Sequence, residues 1–181
     1  SGFDRVWVQP AAGDAGGALG AALFAHHQVH GGGRTVDGVS DAQQGSFLGP
    51  SWSSSAVRDE LARWGIPHHR LDDDGELLRR VASLLADGRV VGWFSGRAEF
   101  GPRALGARSI LADARRPEMQ SVLNQKIKFR ESFRPFAPAC LREDVEEYFE
   151  IAVDAPYMLF VAPLRESRRK RVEVPAHASV T

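Results

Sequence analysis

The 181 residues contain one cysteine, Cys140, so no disulfide can form within the chain, and a reducing compartment suits it. No local motif makes Cys140 a nucleophile, and a small buried residue after Pro138 is the expected role. Apolar runs are short. None approaches the roughly 20 residues needed to cross a bilayer, and the opening SGFDRVWVQP lacks a basic stretch followed by an apolar core, so no membrane helix and no secretory leader are expected there. Net charge is missing as well, with 23 Lys and Arg against 23 Asp and Glu, which argues against chain-wide attraction to a polyanion. The remaining composition, 43% hydrophobic and 25% charged, is ordinary for a globular protein with room for one domain or one and a fraction.

Charge is instead focused in one stretch, WFSGRAEFGPRALGARSILADARRPEMQSVLNQKIKFRESFRPFAP, from Trp93 to Pro138. Between Arg97 and Arg134 nine basic residues face four acidic ones, an excess of five that suits a small anion. Gly96, Gly101 and Gly106 recur every five residues, with Pro102 between the last two. Glycine admits positive φ and close backbone approach, while proline fixes φ and removes a donor. Arg97, Arg103 and Arg108 follow those glycines closely, so a tight loop would bring several guanidiniums together, and each can grip phosphate or carboxylate through two hydrogen bonds. A surface loop of arginines paired with nearby acids is the plainer reading of the same residues.

GRAEFGPRALGARSIL and IKFRESFRPFAP are similar to the carboxy-terminal half of the O-carbamoyltransferase family, whose members carbamoylate nodulation factors, cephalosporins and aminoglycosides. The resemblance runs from about residue 3 to about residue 164 and is thin between Gly31 and Phe47. It implies an α/β fold in which residues 1–45 are the end of an actin-like (ASKHA) domain plus a linker, and residues 46–181 a YrdC-like mixed-sheet domain, incomplete at its end.

Val6–Val8 reads as a short strand, and PAAGDAGGALGAAL then brackets Asp14 with glycines before a helix. Backbone N–H groups at such a turn can face phosphate or ribose oxygens, and an aspartate there can hold a metal, although Gly-rich turns are common. The resemblance equates this segment with the last nucleotide-binding segment of the actin-like domain, with Gly16 and Gly17 at the nucleotide. It also implies that Asp14 joins two histidines, absent from this sequence, on Fe2+, so the chain is expected to be a fragment. His26, His27 and His30 sit at the helix end before Gly31–Gly33, where capping of carbonyls is a stronger expectation than metal binding.

Gly31–Ser55 reads as a linker, and its FLGPSWS matches the family's crossing between domains. Ser54 or Ser55 is expected to cap a helix with Val57, Leu61 and Trp64 on one face, stopped by Gly65. Ile66–Leu71 reads as a strand, Asp72–Asp74 as the acidic start of a helix striped by Leu77, Leu78, Val81, Leu84 and Leu85, and Val90–Phe94 as a buried strand. Ser109–Leu111 is a further strand, Pro117 opens a helix with Met119, Val122, Leu123 and Ile127, and Arg134–Cys140 is an edge or irregular strand. Glu143–Glu150 is expected to be an acidic helix with Val145, Tyr148 and Phe149 inward, and Tyr157–Leu164 a strand. The basic run Arg165–Arg171 reads as an exposed loop or a nucleic-acid contact.

In the family the YrdC-like domain makes carbamoyl-adenylate from carbamoyl phosphate and ATP, and the actin-like domain passes the carbamoyl group to a hydroxyl of a small acceptor. The resemblance therefore implies ATP and Mg2+ as cofactors and assigns Arg97, Lys128, Arg130 and Arg134 to grip phosphates, with Arg103 and Arg108 close by. Glu99 would orient arginines or help hold magnesium, backbone amides around Gly101 would add donors, and Asn124 or Ser109 would read the carbamoyl group. No serine, cysteine or histidine stands out as a covalent nucleophile, in keeping with catalysis by positioning and electrostatics. A cytoplasmic location is expected, a homodimer stays open, and the fragment alone is expected to be inactive in transfer. The alternative is a YrdC-like RNA- or nucleotide-binding module without transferase activity, disfavoured by the zero net charge and by the lack of an evident aromatic platform among Phe94, Phe100, Phe129 and Phe133.

Overall fold

The computed structural model describes residues 8–39 and 41–170. It is a mixed α/β structure with, in chain order, α1 (Asp14–Phe24), α2 (Ser54–Arg63), α3 (Asp74–Ala86), β1 (Val91–Phe94), β2 (Arg108–Leu111), α4 (Met119–Val122) and α5 (Val145–Tyr148). Two compact units divide it: residues 1–137 with 156–158 form the first, and the remainder from residue 138 forms the second. No helix among the described residues is long and apolar enough to cross a membrane.

In the first unit, α3 follows the expected pattern most closely. Asp73 caps it by accepting from the Gly75 amide at 2.8 Å, and the neighbouring acids lie at its positive end, so the aspartate run serves the helix. Leu77, Val81 and Leu85 are half-buried on the inner stripe, Leu78 and Leu84 stay exposed, and α3 packs against β1. Its end is closed by Gly88 at φ 82° and by the Arg116 guanidinium, which donates to the Ala86 carbonyl at 2.8 Å.

β1 and β2 pair antiparallel in the register Val91↔Leu111 to Phe94↔Arg108. The glycine–arginine stretch is therefore the connection of a β-hairpin. Two helices run on into single π-turns, α1 through Ala25–Val29 and α4 through Leu123–Ile127, a widening of the helix that often marks a functional position. The core among the described residues is small: Ala11, Ala107, Met119 and Leu123 are its buried apolar side chains, with Ser46 and Asn124 buried among the polar ones.

Several sequence expectations are corrected. Ile66–Leu71, Arg134–Cys140 and Tyr157–Leu164 form no strand, except that Leu164 makes an isolated bridge to Phe149; each stretch carries or adjoins prolines that remove ladder donors. β1 starts at Val91 and is not buried, since its residues alternate between half-buried and exposed. The cap of α2 is Ser53, which accepts from the Ala56 amide at 3.2 Å, one residue before the expected pair. Pro117 lies in a turn, and α4 begins at Met119. Cys140 is exposed. The strand expected over 6–8 lies outside the described residues but for Val8.

In the second unit a short helical turn, Arg142–Asp144, leads into α5, where Val145 and Phe149 are half-buried while Tyr148 is exposed. The basic run after residue 164 is consumed here. Arg168 pairs with Glu147, Arg169 lies 3.8 Å from Glu150, and Arg165 donates from its backbone to Tyr148 O at 2.8 Å and from its side chain to Glu146 O. The plain reading of this run holds for its described residues; Arg171 lies outside them.

Gly88→Ala is expected to destabilise the chain by about 1–2 kcal/mol, because a side chain at this positive φ would lie 2.8 Å from the Arg116 Cζ and displace the cap. Urea unfolding followed by circular dichroism checks it, and an unchanged midpoint would show that the α3 end does not need this cap.

Candidate anion-binding site

The hairpin connection is built around a carboxylate. Gly96, Gly101 and Gly106 adopt φ values of 59°, 108° and 115°, so all three recurring glycines occupy backbone conformations that other residues resist. The chain folds back on Glu99, whose Oε1 accepts from the amides of Leu105 at 2.7 Å, Ala107 at 2.8 Å and Arg108 at 3.3 Å. Burial alone would push this carboxyl up, but hydrogen bonds from the Leu105, Glu99, Ala107 and Arg108 amides outweigh it and hold the pKa below its ordinary value. Glu99 thus serves the backbone and, among the described residues, pairs with no arginine side chain.

The connection is also clasped from outside by the segment the sequence presents as a linker. Gly49 donates to Ala98 O and Ala98 to Pro50 O, both at 2.9 Å, and Phe100 donates to the carbonyl of buried Ser46 at 2.6 Å. Arg97 adds a side-chain bond to Leu48 O at 3.0 Å. On another side Ala11, almost fully buried, fills the space over Gly101, where a Cβ would come within 2.8 Å of its own.

The arginines of this loop differ in what they have left to give. Arg108, opposite Phe94 in the ladder, folds over that ring at 3.5 Å and donates to the carbonyls of Ser95, Gly96 and Ala107 at 2.8–3.1 Å. It stitches the hairpin. Arg97 keeps most of its donors, and Arg103 is exposed with no partner among the described residues. Ser109 accepts from the Gly106 amide at 3.1 Å.

A second loop, residues 128–134, is organised by Asn124, which is fully buried. Its amide nitrogen donates to Ser132 O at 3.1 Å and Arg134 O at 2.9 Å, its Oδ1 accepts from Arg130 Nε at 2.7 Å, and its carbonyl accepts from the Arg130 amide at 2.9 Å. The polar atoms of the Asn124 side chain are thus all engaged by the chain itself. Arg130 also lies 4.8 Å over Phe136, and Arg134 pairs with Glu131 at 2.8 Å. Lys128 is exposed and partnerless among the described residues, and the next residue, Phe129, is exposed at φ 49°. No hydrogen bond, ion pair or ring contact among the described residues joins this loop to the hairpin.

Most cations in and beside the two loops are alike in one respect. Arg97, Arg103, Arg108, Lys126, Lys128 and Arg130 make no ion pair with any described carboxylate, whereas Arg115 is neutralised by Asp113, whose carboxyl Arg115 pulls down to about 2. Fixed positive charge without internal compensation attracts anions.

The amino-terminal turn carries Asp14 exposed in the first turn of α1. Gly16 lies so close to Ala11 that a Cβ would sit 2.3 Å from its carbonyl oxygen, while Gly17 stands in open space. No group of three or more His, Cys, Asp or Glu side chains among the described residues is placed to hold a metal. Asp14 fits an iron site as a single carboxylate ligand and no more. His27 bonds Gly32 O at 2.9 Å, in the loop beyond the helix, and His26 meets His27 edge-on; among the described residues no side-chain bond from these histidines to a carbonyl of the last helical turn accompanies them, so the expected capping is not what they do. Ser46 and Ala11 hold the hairpin connection, and nothing local in the sequence marks either of them for that role.

Residues 82–181 match the family model described as Carbamoyltransferase C-terminus. An uncharacterized protein of Synechocystis sp. is 52% identical over 92% of this chain and 27% of its own length. Nodulation protein NolNO of Sinorhizobium fredii is 43% identical over 99% of this chain and 26% of its own. Nodulation protein NolO of Bradyrhizobium diazoefficiens is 41% identical over 99% of this chain and 32% of its own. The chain thus spans about a quarter to a third of the length of these relatives.

Glu99→Ala is expected to cost about 1.5–3 kcal/mol, the range for hydrogen bonds to a charged group. Because the Glu99 pKa is lowered in the folded chain, its stabilisation is complete above the unfolded value of about 4.3 and fades as pH falls through the folded one. Hydrogen exchange at the Leu105 and Ala107 amides, corrected for intrinsic rate, should show protection at pH 6 that is lost on that acid side, and no pH step in Glu99→Ala. Asn124→Ala should cost about 2 kcal/mol in urea unfolding, since it removes a fully buried amide that holds the Ser132 and Arg134 carbonyls and the Arg130 guanidinium; a loss under about 1 kcal/mol would deny it the organising role.

Proposed function

Since the chain belongs to the carbamoyltransferase family through its C-terminal part, we propose that its first unit binds carbamoyl phosphate and ATP for the formation of carbamoyl-adenylate, from which the carbamoyl group passes to a hydroxyl of a small-molecule acceptor. The observation that carries this reading is the set of cations without an ion pair to any described carboxylate: Arg97, Arg103, Arg108, Lys128 and Arg130 on two loops whose backbones are fixed by Glu99 and Asn124, and Lys126 in the π-turn before the second loop. Both substrates are anions whose transferring groups gain charge at the transition state, so cations already in place lower the barrier without reorganising. Arg103 and Lys128 have no side-chain partner among the described residues and Arg97 has one; Arg97 and Lys128 are assigned to phosphate oxygens with Arg103 in support, and Arg130 and Arg134 are held in reserve by Asn124 and Glu131.

Glu99 and Asn124 position these groups without touching substrate. Mg2+ would neutralise phosphate charge alongside them. Iron, where bound, would take one oxygen from Asp14 and the rest of its ligands from histidines outside this sequence. The nucleic-acid alternative is not favoured by the family assignment.

Calorimetric titration of the chain with carbamoyl phosphate tests the reading. Carbamoyl phosphate should bind more tightly than inorganic phosphate, and Arg97→Ala and Lys128→Ala should each weaken it by about ten-fold or more, as expected for one charged hydrogen bond. Arg115→Ala, which removes an already paired charge, should not. Equal loss in all three would reduce the effect to general electrostatics, and no binding by the folded parent chain would sink the proposal.

A further inference from the structure

Trp52 is 53% exposed and Phe94 57%, their ring centres 5.7 Å apart and tilted by 50°. Large aromatic side chains left this open gain little for the fold, yet their placement is rigid. Trp52 follows the 48–50 segment clasped to residues 97 and 98, where Gly49 approaches so closely that a Cβ would lie 2.8 Å from the Ala98 carbonyl oxygen. Phe94 is the last residue of β1 and is held in the ladder opposite Arg108. The Arg108 guanidinium lies 3.5 Å from the Phe94 ring centre and 5.6 Å from that of Trp52, joining the aromatic pair to the arginine loop.

We propose that Trp52, supported by Phe94 and Arg108, is a stacking platform for the planar base of a nucleotide whose phosphates lie on the arginine loop. The inference rests on the anion-binding reading above and adds the base-recognition element to it. A purely apolar ligand would leave Arg97 and Arg103 uncompensated, and a bare phosphate would gain nothing from two open rings. A ring joined to phosphates satisfies both halves. Stacking on an aromatic side chain tolerates any base and gains most from the larger rings of a purine.

The test compares the affinities of ATP and tripolyphosphate for the 181-residue chain at fixed magnesium and salt. The platform predicts ATP binding about ten-fold tighter than tripolyphosphate, the scale of one stacked base. Trp52→Ala should bring that ratio close to one, and Trp52→Phe should keep most of it. As a readout that does not rely on a variant that folds, ATP but not tripolyphosphate should shield tryptophan emission from acrylamide. A ratio near one in the parent chain, or a ratio unmoved by Trp52→Ala, overturns the platform while leaving anion binding intact. Failure of both probes to bind overturns the two readings together.

Discussion

The arginine hairpin of the candidate site depends on one carboxylate. Glu99 gathers the amides of Leu105, Ala107 and Arg108 into a single cradle, and without it the connection between β1 and β2 would be a long glycine-rich excursion with no internal reason to hold a shape. A negative charge placed inside a nest of backbone donors is a compact way to fix such a loop, because the donors would otherwise need water or secondary structure. The same charge does not neutralise the arginines around it. The loop therefore stays rigid while its outer surface remains positive.

Asn124 solves the same problem for the second loop with a neutral group. An amide offers two donors and an acceptor, so it can hold two carbonyls and a guanidinium at once, and its complete burial costs little when all three are engaged. The cations then sort by what surrounds them. Arg108 lies against aromatic rings and backbone carbonyls, Arg130 against Phe136 and the Asn124 side chain, Arg134 and Arg115 against carboxylates, and Arg97, Arg103 and Lys128 are left with capacity to spare.

Much of this was legible in the chain. The five-residue recurrence of glycine announced positive φ at Gly96, Gly101 and Gly106, and the apolar stripe with Asp73 and Gly88 announced α3, because each of these signals acts within a few residues. The clasp of residues 46–50 onto residues 97–100 was not legible. A stretch rich in glycine and serine reads as a linker, and only a distant backbone partner reveals that it is pinned. Asn124 and Glu99 were picked out as polar residues in a functional stretch, but their inward roles depend on which amides and carbonyls the fold delivers to them. The extra strands expected over Arg134–Cys140 and Tyr157–Leu164 failed for a related reason: apolar content suggests a strand, but a strand also needs a neighbour with free donors, and the prolines there remove them.

The close contact between Ala11 and Gly101 has a consequence of a different kind. A methyl group on one and a bare backbone on the other fill a space with no room for more, the added Cβ falling 2.8 Å from its neighbour. These two positions, ninety residues apart by their numbers, behave as one unit of volume. A chain that folds this way can enlarge one of them only by shrinking the other or by moving the turn before α1, so the history of the arginine loop and that of the amino-terminal turn are bound to be written together.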